Sequence, residues 1–133
     1  MTGTDIVAAR LITHADLKAI ADRGALKEDR LPDGVSLPVI LLRTISSVDR
    51  QPLKLGELRR STDRVAVLVR AGSVKERKAL IGLIRSVAPG EDEALADCFA
   101  VSTRLAGLGP SLLGPGDTYE QTQDLRVTYD APA

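Results

Sequence analysis

The sequence predicts an α+β fold: about four mostly antiparallel strands, with an N-terminal helix and one central amphipathic helix packed on one face of the sheet. Three observations predict it. Residues 64–89 read as one strand running straight into one helix. Residues 39–42 form a continuous apolar run, Val-Ile-Leu-Leu, which relaxes into Arg43, Thr44, Ile45 and Ser46. Near the end, Leu125, Val127 and Tyr129 alternate with Arg126, Thr128 and Asp130, the period-two pattern of a strand with one buried face.

The central unit is the most clearly written. Val65, Val67 and Val69 alternate with Arg64, Ala66, Leu68 and Arg70, and Gly72 breaks the strand. Ser73-Val74-Lys75-Glu76 is a capping box, in which the Ser73 hydroxyl accepts from the Glu76 N–H and the Glu76 carboxylate reaches back to the Ser73 N–H. Leu80, Ile81, Ile84, Val87 and Ala88 share one helical face, with Lys75, Arg77, Lys78 and Arg85 mostly off it. Pro89-Gly90 ends the helix. Burying the large aliphatic side chains of this unit yields roughly 10 kcal/mol of gross transfer energy, enough to seed a small core.

Upstream, Thr4 or Asp5 is placed to cap a first helix whose apolar face is Val7, Ala8, Leu11, Ile12 and Ala15. Thr13-His14-Ala15-Asp16 is a second capping box, so either a new short helix starts there or one helix runs through to Gly24. Pro32-Asp33-Gly34 is a turn, and Leu37-Pro38 opens the apolar strand. Residues 47–63 are polar and read as a long charged connection, with a solvated extension of the flanking strands as the alternative. Glu91-Asp92-Glu93 reads as an acidic helix start or turn. Residues 94–104 suit helix or strand, and Val, Thr and Phe favour a strand from about Cys98. Glycines and prolines at 107–116 punctuate a loop.

A chain of 133 residues is expected to be one domain, residues 1–133. Eighteen basic residues balance eighteen acidic ones, so net charge points to neither nucleic acid nor a membrane surface. The aromatics are Phe99, Tyr119 and Tyr129, too few for a base-stacking platform. A single cysteine excludes an internal disulfide and suits a reducing compartment. No apolar run approaches the length of a membrane span, and the N-terminus has no basic region followed by an apolar block, so neither a span nor a secretory leader is expected.

Each candidate for chemistry has a simpler structural role. His14, the one histidine, sits at a helix start and suits capping rather than catalysis. Cys98 lies in an apolar segment and reads as a small core residue. Together they are too few for a zinc site. Gly107-Leu108-Gly109-Pro110 and Gly114-Pro115-Gly116 lack the Lys-Ser/Thr ending of a phosphate loop. The acids at 91–93 do not converge on one point, as a cation site requires. Arg59, Arg60, Arg64 and Arg70 have phosphate contact as one reading, and a solvated loop or protein contact as the preferred one. No catalytic, cofactor-binding or metal-binding residue is therefore expected, and no cofactor.

The order of these pieces carries a resemblance. A short helix leads to Thr13-His14-Ala15-Asp16-Leu17-Lys18-Ala19-Ile20, then to Arg30-Leu31-Pro32-Asp33-Gly34 and the strand at 37–43. The strand and helix of 64–87 follow, then Leu108-Gly109-Pro110 through Gly114-Pro115-Gly116, and finally Gln123-Asp124-Leu125-Arg126-Val127-Thr128-Tyr129. This resembles the tail-completion family of long-tailed bacteriophages, the small neck proteins similar to tail terminators, whose parts also occur in gene-transfer particles. The resemblance implies a structural virion protein of the neck, not an enzyme. It implies a ring, usually a hexamer, that terminates the tail tube and joins it to the head-closure (connector) proteins, with DNA passing through without sequence-specific binding. It implies assembly in the bacterial host cytoplasm and no membrane partner.

The alternative from a different class is a small cytoplasmic protein-interaction or regulatory domain that dimerises through a sheet edge. A hydrolase or transferase lacks a nucleophile, base and orienting group. In the ring, the connections at 47–63 and 106–118 are expected to make the contacts and to be mobile in the free chain.

Overall fold

The computed structural model describes residues 3–30, 34–50 and 58–132. In chain order these form α1 (Gly3–Leu11), α2 (Ala15–Asp22), β1 (Leu26–Glu28), β2 (Val39–Arg50) and β3 (Leu58–Ala71). Then come α3 (Val74–Val87), β4 (Gly90–Leu95), β5 (Cys98–Leu108), β6 (Leu112–Gly114) and β7 (Thr118–Pro132). The strands make one sheet in the order β1-β2-β3-β7-β5-β4, with β6 also paired to β7. Only the β1–β2 pairing is parallel. The class is α+β as expected, but the sheet has seven strands rather than about four. The three extra strands, β1, β4 and β6, are short or acidic and carry no apolar alternation.

Alternation decides which face is covered. In β3, Val65, Val67, Val69 and Ala71 are fully buried. Their register partners on β7 include Leu125 and Gln123, also fully buried, and those on β2 include Ile40 and Leu42. Helices α1 and α3 lie against this face. Ile6, Val7 and Leu11 from α1 and Leu80, Ile81 and Ile84 from α3 complete one continuous core. Each such side chain contributes about 1.5–3 kcal/mol of burial energy.

Local signals placed most helix ends, with corrections of detail. Ser73 caps α3 and accepts from the Glu76 N–H at 3.1 Å. The Glu76 carboxylate accepts from Gly72 at 3.0 Å, one residue before the position expected. Arg77 is not off the apolar face: it is 6% exposed, one turn before Leu80 and Ile81, and its Nε has no partner. The first two helices are separate, and the cap of α2 is His14, not Thr13. The His14 ring accepts from the Asp16 N–H at 3.2 Å, while the Thr13 hydroxyl donates to the Arg10 carbonyl. In α1 the buried face is Ile6, Val7 and Leu11, and Ile12 turns outward.

The start of α1 is held from across the sheet by Asp63. Asp63 of β3, 2% exposed, accepts from the Gly3 N–H at 2.8 Å, from the Ser47 hydroxyl at 2.5 Å and from the Tyr129 hydroxyl at 2.9 Å. A carboxylate at a helix N-terminus also sits in the favourable end of the helix dipole. Gly3 is required there, because a Cβ would fall 2.7 Å from both Cβ and Oδ2 of Asp63.

The polar connection at 47–63 is mostly sheet. β2 runs to Arg50 and β3 begins at Leu58, so the strand-extension alternative holds for those residues, and 51–57 lie outside the described residues. The acidic 91–93 segment is strand β4 rather than a helix start or turn. Strand β5 begins at Cys98 as expected, and β6 interrupts the 106–118 loop.

Two expected outcomes follow from the Asp63 node. Asp63→Ala leaves buried donors unpaired and lowers the free energy of unfolding by about 3 kcal/mol in urea titration, whereas Asp63→Asn, which keeps an acceptor oxygen, costs less. The Tyr129 hydroxyl is held protonated well above the ordinary tyrosine range, by burial first and then by its hydrogen bond to Asp63 and that residue's charge. The folded chain therefore keeps this proton where the unfolded chain loses it, and stability falls as pH rises past about 10. Urea midpoints measured across that range fall less steeply for Tyr129→Phe.

Candidate interaction surface

The helices cover one face of the sheet and leave the other open. The open face carries the alternate residues of β2, β3 and β7. One end holds a depression of about 240 Å³ lined by Leu41, Ile45, Ala66 and Leu68 together with Arg43, Thr122 and Asp124. The other end is a depression of about 570 Å³ lined by arginine, threonine and serine: Arg50, Arg60, Arg64 and Arg126, with Thr62, Thr128, Ser46 and Val48.

Cross-strand ion pairs organise this face. Arg60 bonds Asp130 at 3.0 Å and Arg70 bonds Glu120 at 2.9 Å, each directly opposite its partner. Arg64 stands opposite Arg126 and reaches diagonally to Asp124 at 2.9 Å. Arg126 in turn stands opposite Arg104, which turns to Glu91 at 3.1 Å. Arg50 stands opposite Arg60. Like charges in direct cross-strand register are destabilising. Here one member of each pairing has found a carboxylate and the other has not. Among the described residues no ion pair reaches Arg50 or Arg126.

Exposed apolar side chains mark two further places. Ile45 and Val48 stand out at the β2 side of the open face, with Val48 60% exposed. The β5–β6 corner presents Leu108, Leu112 and Leu113, the last 79% exposed. Both sheet ends have open edges among the described residues. Strand β1 covers β2 only from Ile40 to Leu42, and β4 is paired only to β5.

The sequence candidates fall into place around this surface. His14 caps α2. Cys98 is 1% exposed, and burial raises its thiol pKa, so it is a core residue. Of the four expected arginines, Arg60, Arg64 and Arg70 share the open face, on a strand rather than a loop, and Arg59 lies on the other side, 3.7 Å from Asp49. The acids of 91–93 separate: Glu93 binds Arg10 of α1 at 2.7 Å and Glu91 binds Arg104. The glycines at 107–109 serve sheet geometry, with the Gly107 carbonyl accepting from the Gln123 side chain and the Gly109 carbonyl accepting from Gln121. Arg50, Arg104 and Arg126 were not singled out from sequence. Only strand register brings them into line.

An open charged sheet face, exposed apolar corners and two open edges are features suited to contact with other chains. The family model described as Tail completion protein gp17 matches residues 6–130. The chain belongs to that family and is a structural component of a phage-type virion tail. In fold it is similar to a chain of the solved structure titled "Virion of native gene transfer agent (GTA) particle". That likeness has a TM-score of 0.75 and 14% sequence identity over 97% of this chain and 95% of that one. No curated protein matches the sequence significantly.

If these exposed side chains serve partners and not folding, their removal is nearly neutral for the free chain. Val48→Ser and Leu113→Ser are expected to change unfolding free energy by no more than about 0.5 kcal/mol. Val67→Ala, in the covered face, is expected to cost about 2 kcal/mol in the same urea titrations.

Proposed function

We propose that residues 1–133 act as one tail-completion domain that closes into a ring, of about six copies, at the head-proximal end of the tail tube. The ring ends tube growth and presents a surface to the head-closure proteins, while DNA passes through its lumen without being read. Family membership is the observation that carries this reading. The open edges at the two ends of the sheet support it, since each asks for a neighbour. The two edges differ in sequence, and a heterologous contact that joins one to the other and closes gives a ring. The exposed leucines of the β5–β6 corner are placed to meet a second kind of chain, the tube or the closure proteins.

Light scattering on a sizing column tests the ring. A closed assembly about six times the 14.2 kDa chain is expected, and purified tail tubes are expected to acquire the protein at one end only. A dimer at every concentration, with no binding to tube ends, overturns the ring and favours a regulatory domain.

A further inference from the structure

We propose that copies of this chain join through opposite charges on two different parts of the sheet: the acidic β4 edge of one copy lies on the arginine-lined depression in the open face of the next. This inference rests on the ring reading and adds the contact that builds the ring.

The receiving side is defined by the two unpaired arginines. Arg50 and Arg126 line one depression. Each stands in direct register with another arginine that has already taken the nearby carboxylate. Such a register is a local cost to folding that an external anion offsets. Beside Arg50, Val48 is 60% exposed and offers an apolar contact.

The inserting side is the β4 edge of the same sheet, beyond β5 from Arg126 and on the opposite side of the sheet order from Arg50 on β2. Strand β4 is the terminal strand, and its exposed residues include Glu91 and Asp92. Phe99, at the hairpin that joins β4 to β5, is 51% exposed. The acids of the β4 edge therefore answer arginines beside a valine on the open face. The two surfaces are unlike each other and complementary, as a head-to-tail contact requires.

The same face fits duplex DNA less well. Asp124, Asp130 and Glu120 stand among its arginines and would meet the phosphates. The exposed valine and isoleucine have no counterpart on a phosphate backbone.

Two charge variants of the full chain test the contact. Arg50→Glu with Arg126→Glu changes the receiving side without removing any ion pair seen within the chain. Glu91→Lys with Asp92→Asn changes the inserting side. It gives up only the exposed Glu91–Arg104 pair, and Asn accepts the positive φ of 50° at position 92. Circular dichroism is expected to report unchanged folding for both. In sedimentation velocity, each variant alone is expected to lose self-association by at least about tenfold in concentration, because like charges then face each other across the contact. An equimolar mixture is expected to regain the wild-type assembly, since every contact in an alternating ring is again between opposite charges.

A wild-type assembly that neither variant weakens, or two weakened variants that do not rescue each other, overturns the edge assignment and leaves the ring standing. A wild-type chain that is monomeric at every concentration and absent from tube ends overturns both. Fluorescence anisotropy with a labelled duplex is expected to show no binding at physiological salt. Tight binding lost in Arg50→Glu with Arg126→Glu assigns the face to DNA instead and overturns the proposal.

Discussion

A single buried carboxylate sets the relation between the layers of this molecule. Asp63 lies on the helix-covered face of β3, where an unpaired charge would be costly. It is tolerated because three donors converge on it: the first N–H of α1, a hydroxyl from β2 and a hydroxyl from β7. Four elements thus meet at one side chain. The arrangement fixes where α1 begins, and the absence of a Cβ at Gly3 lets the helix end approach that closely. With α1 anchored, Arg10 reaches Glu93 and the Pro89 carbonyl, tying the terminal strand β4 to the same helix. The far edge of the sheet is therefore positioned through α1, not only through its pairing with β5.

Anchoring both helices on one face leaves the other face uncovered. A sheet with one bare side must make that side polar or give it to a partner. This chain does both. Near Leu41 and Leu68 the open face mixes apolar side chains with Arg43 and Asp124, and farther along it is a lattice of arginines and carboxylates in cross-strand register. Most of these charges are balanced within the face. The arginines of this face that no ion pair reaches among the described residues are Arg50 and Arg126, which line one depression, and Arg43, which lines the other. A whole-chain net charge of zero hides this completely, because acids elsewhere in the chain, those of β4 among them, offset these arginines in the total.

The parts of the fold legible in the sequence were those where one chemical pattern decides the outcome. Alternating valines at 65–69, the Ser73 cap and the stop at Pro89 are local signals with local consequences, and α3 stands where they put it. Strand β7 was visible as alternation only from about 123, because residues 118–122 are polar on both faces and become strand through pairing with β3. β4 was missed for a similar reason: Glu91-Asp92-Glu93 resembles a helix start until Arg10 and Arg104 supply countercharges from other elements. Arg77 was misplaced by its charge, although its spacing to Leu80, Ile81 and Ile84 puts it on the buried side. The interaction surface was least legible of all. Arg50, Arg60, Arg64, Arg104 and Arg126 are scattered over some eighty residues of chain, and only the register of four strands collects them.

This distribution of legibility is what an assembly protein should show. A catalytic site needs particular residue types whose chemistry is recognisable one at a time. A contact between copies needs complementary shapes and charges, which most residue types supply once the register places them. The arginine row across β3, β7 and β5 illustrates the difference. Each arginine alone is unremarkable on a strand, and their direct opposition is unfavourable for the isolated chain. The free chain thus carries a small local cost, and a contact of the kind proposed above, in which a neighbouring surface brings anions to these arginines, relieves it.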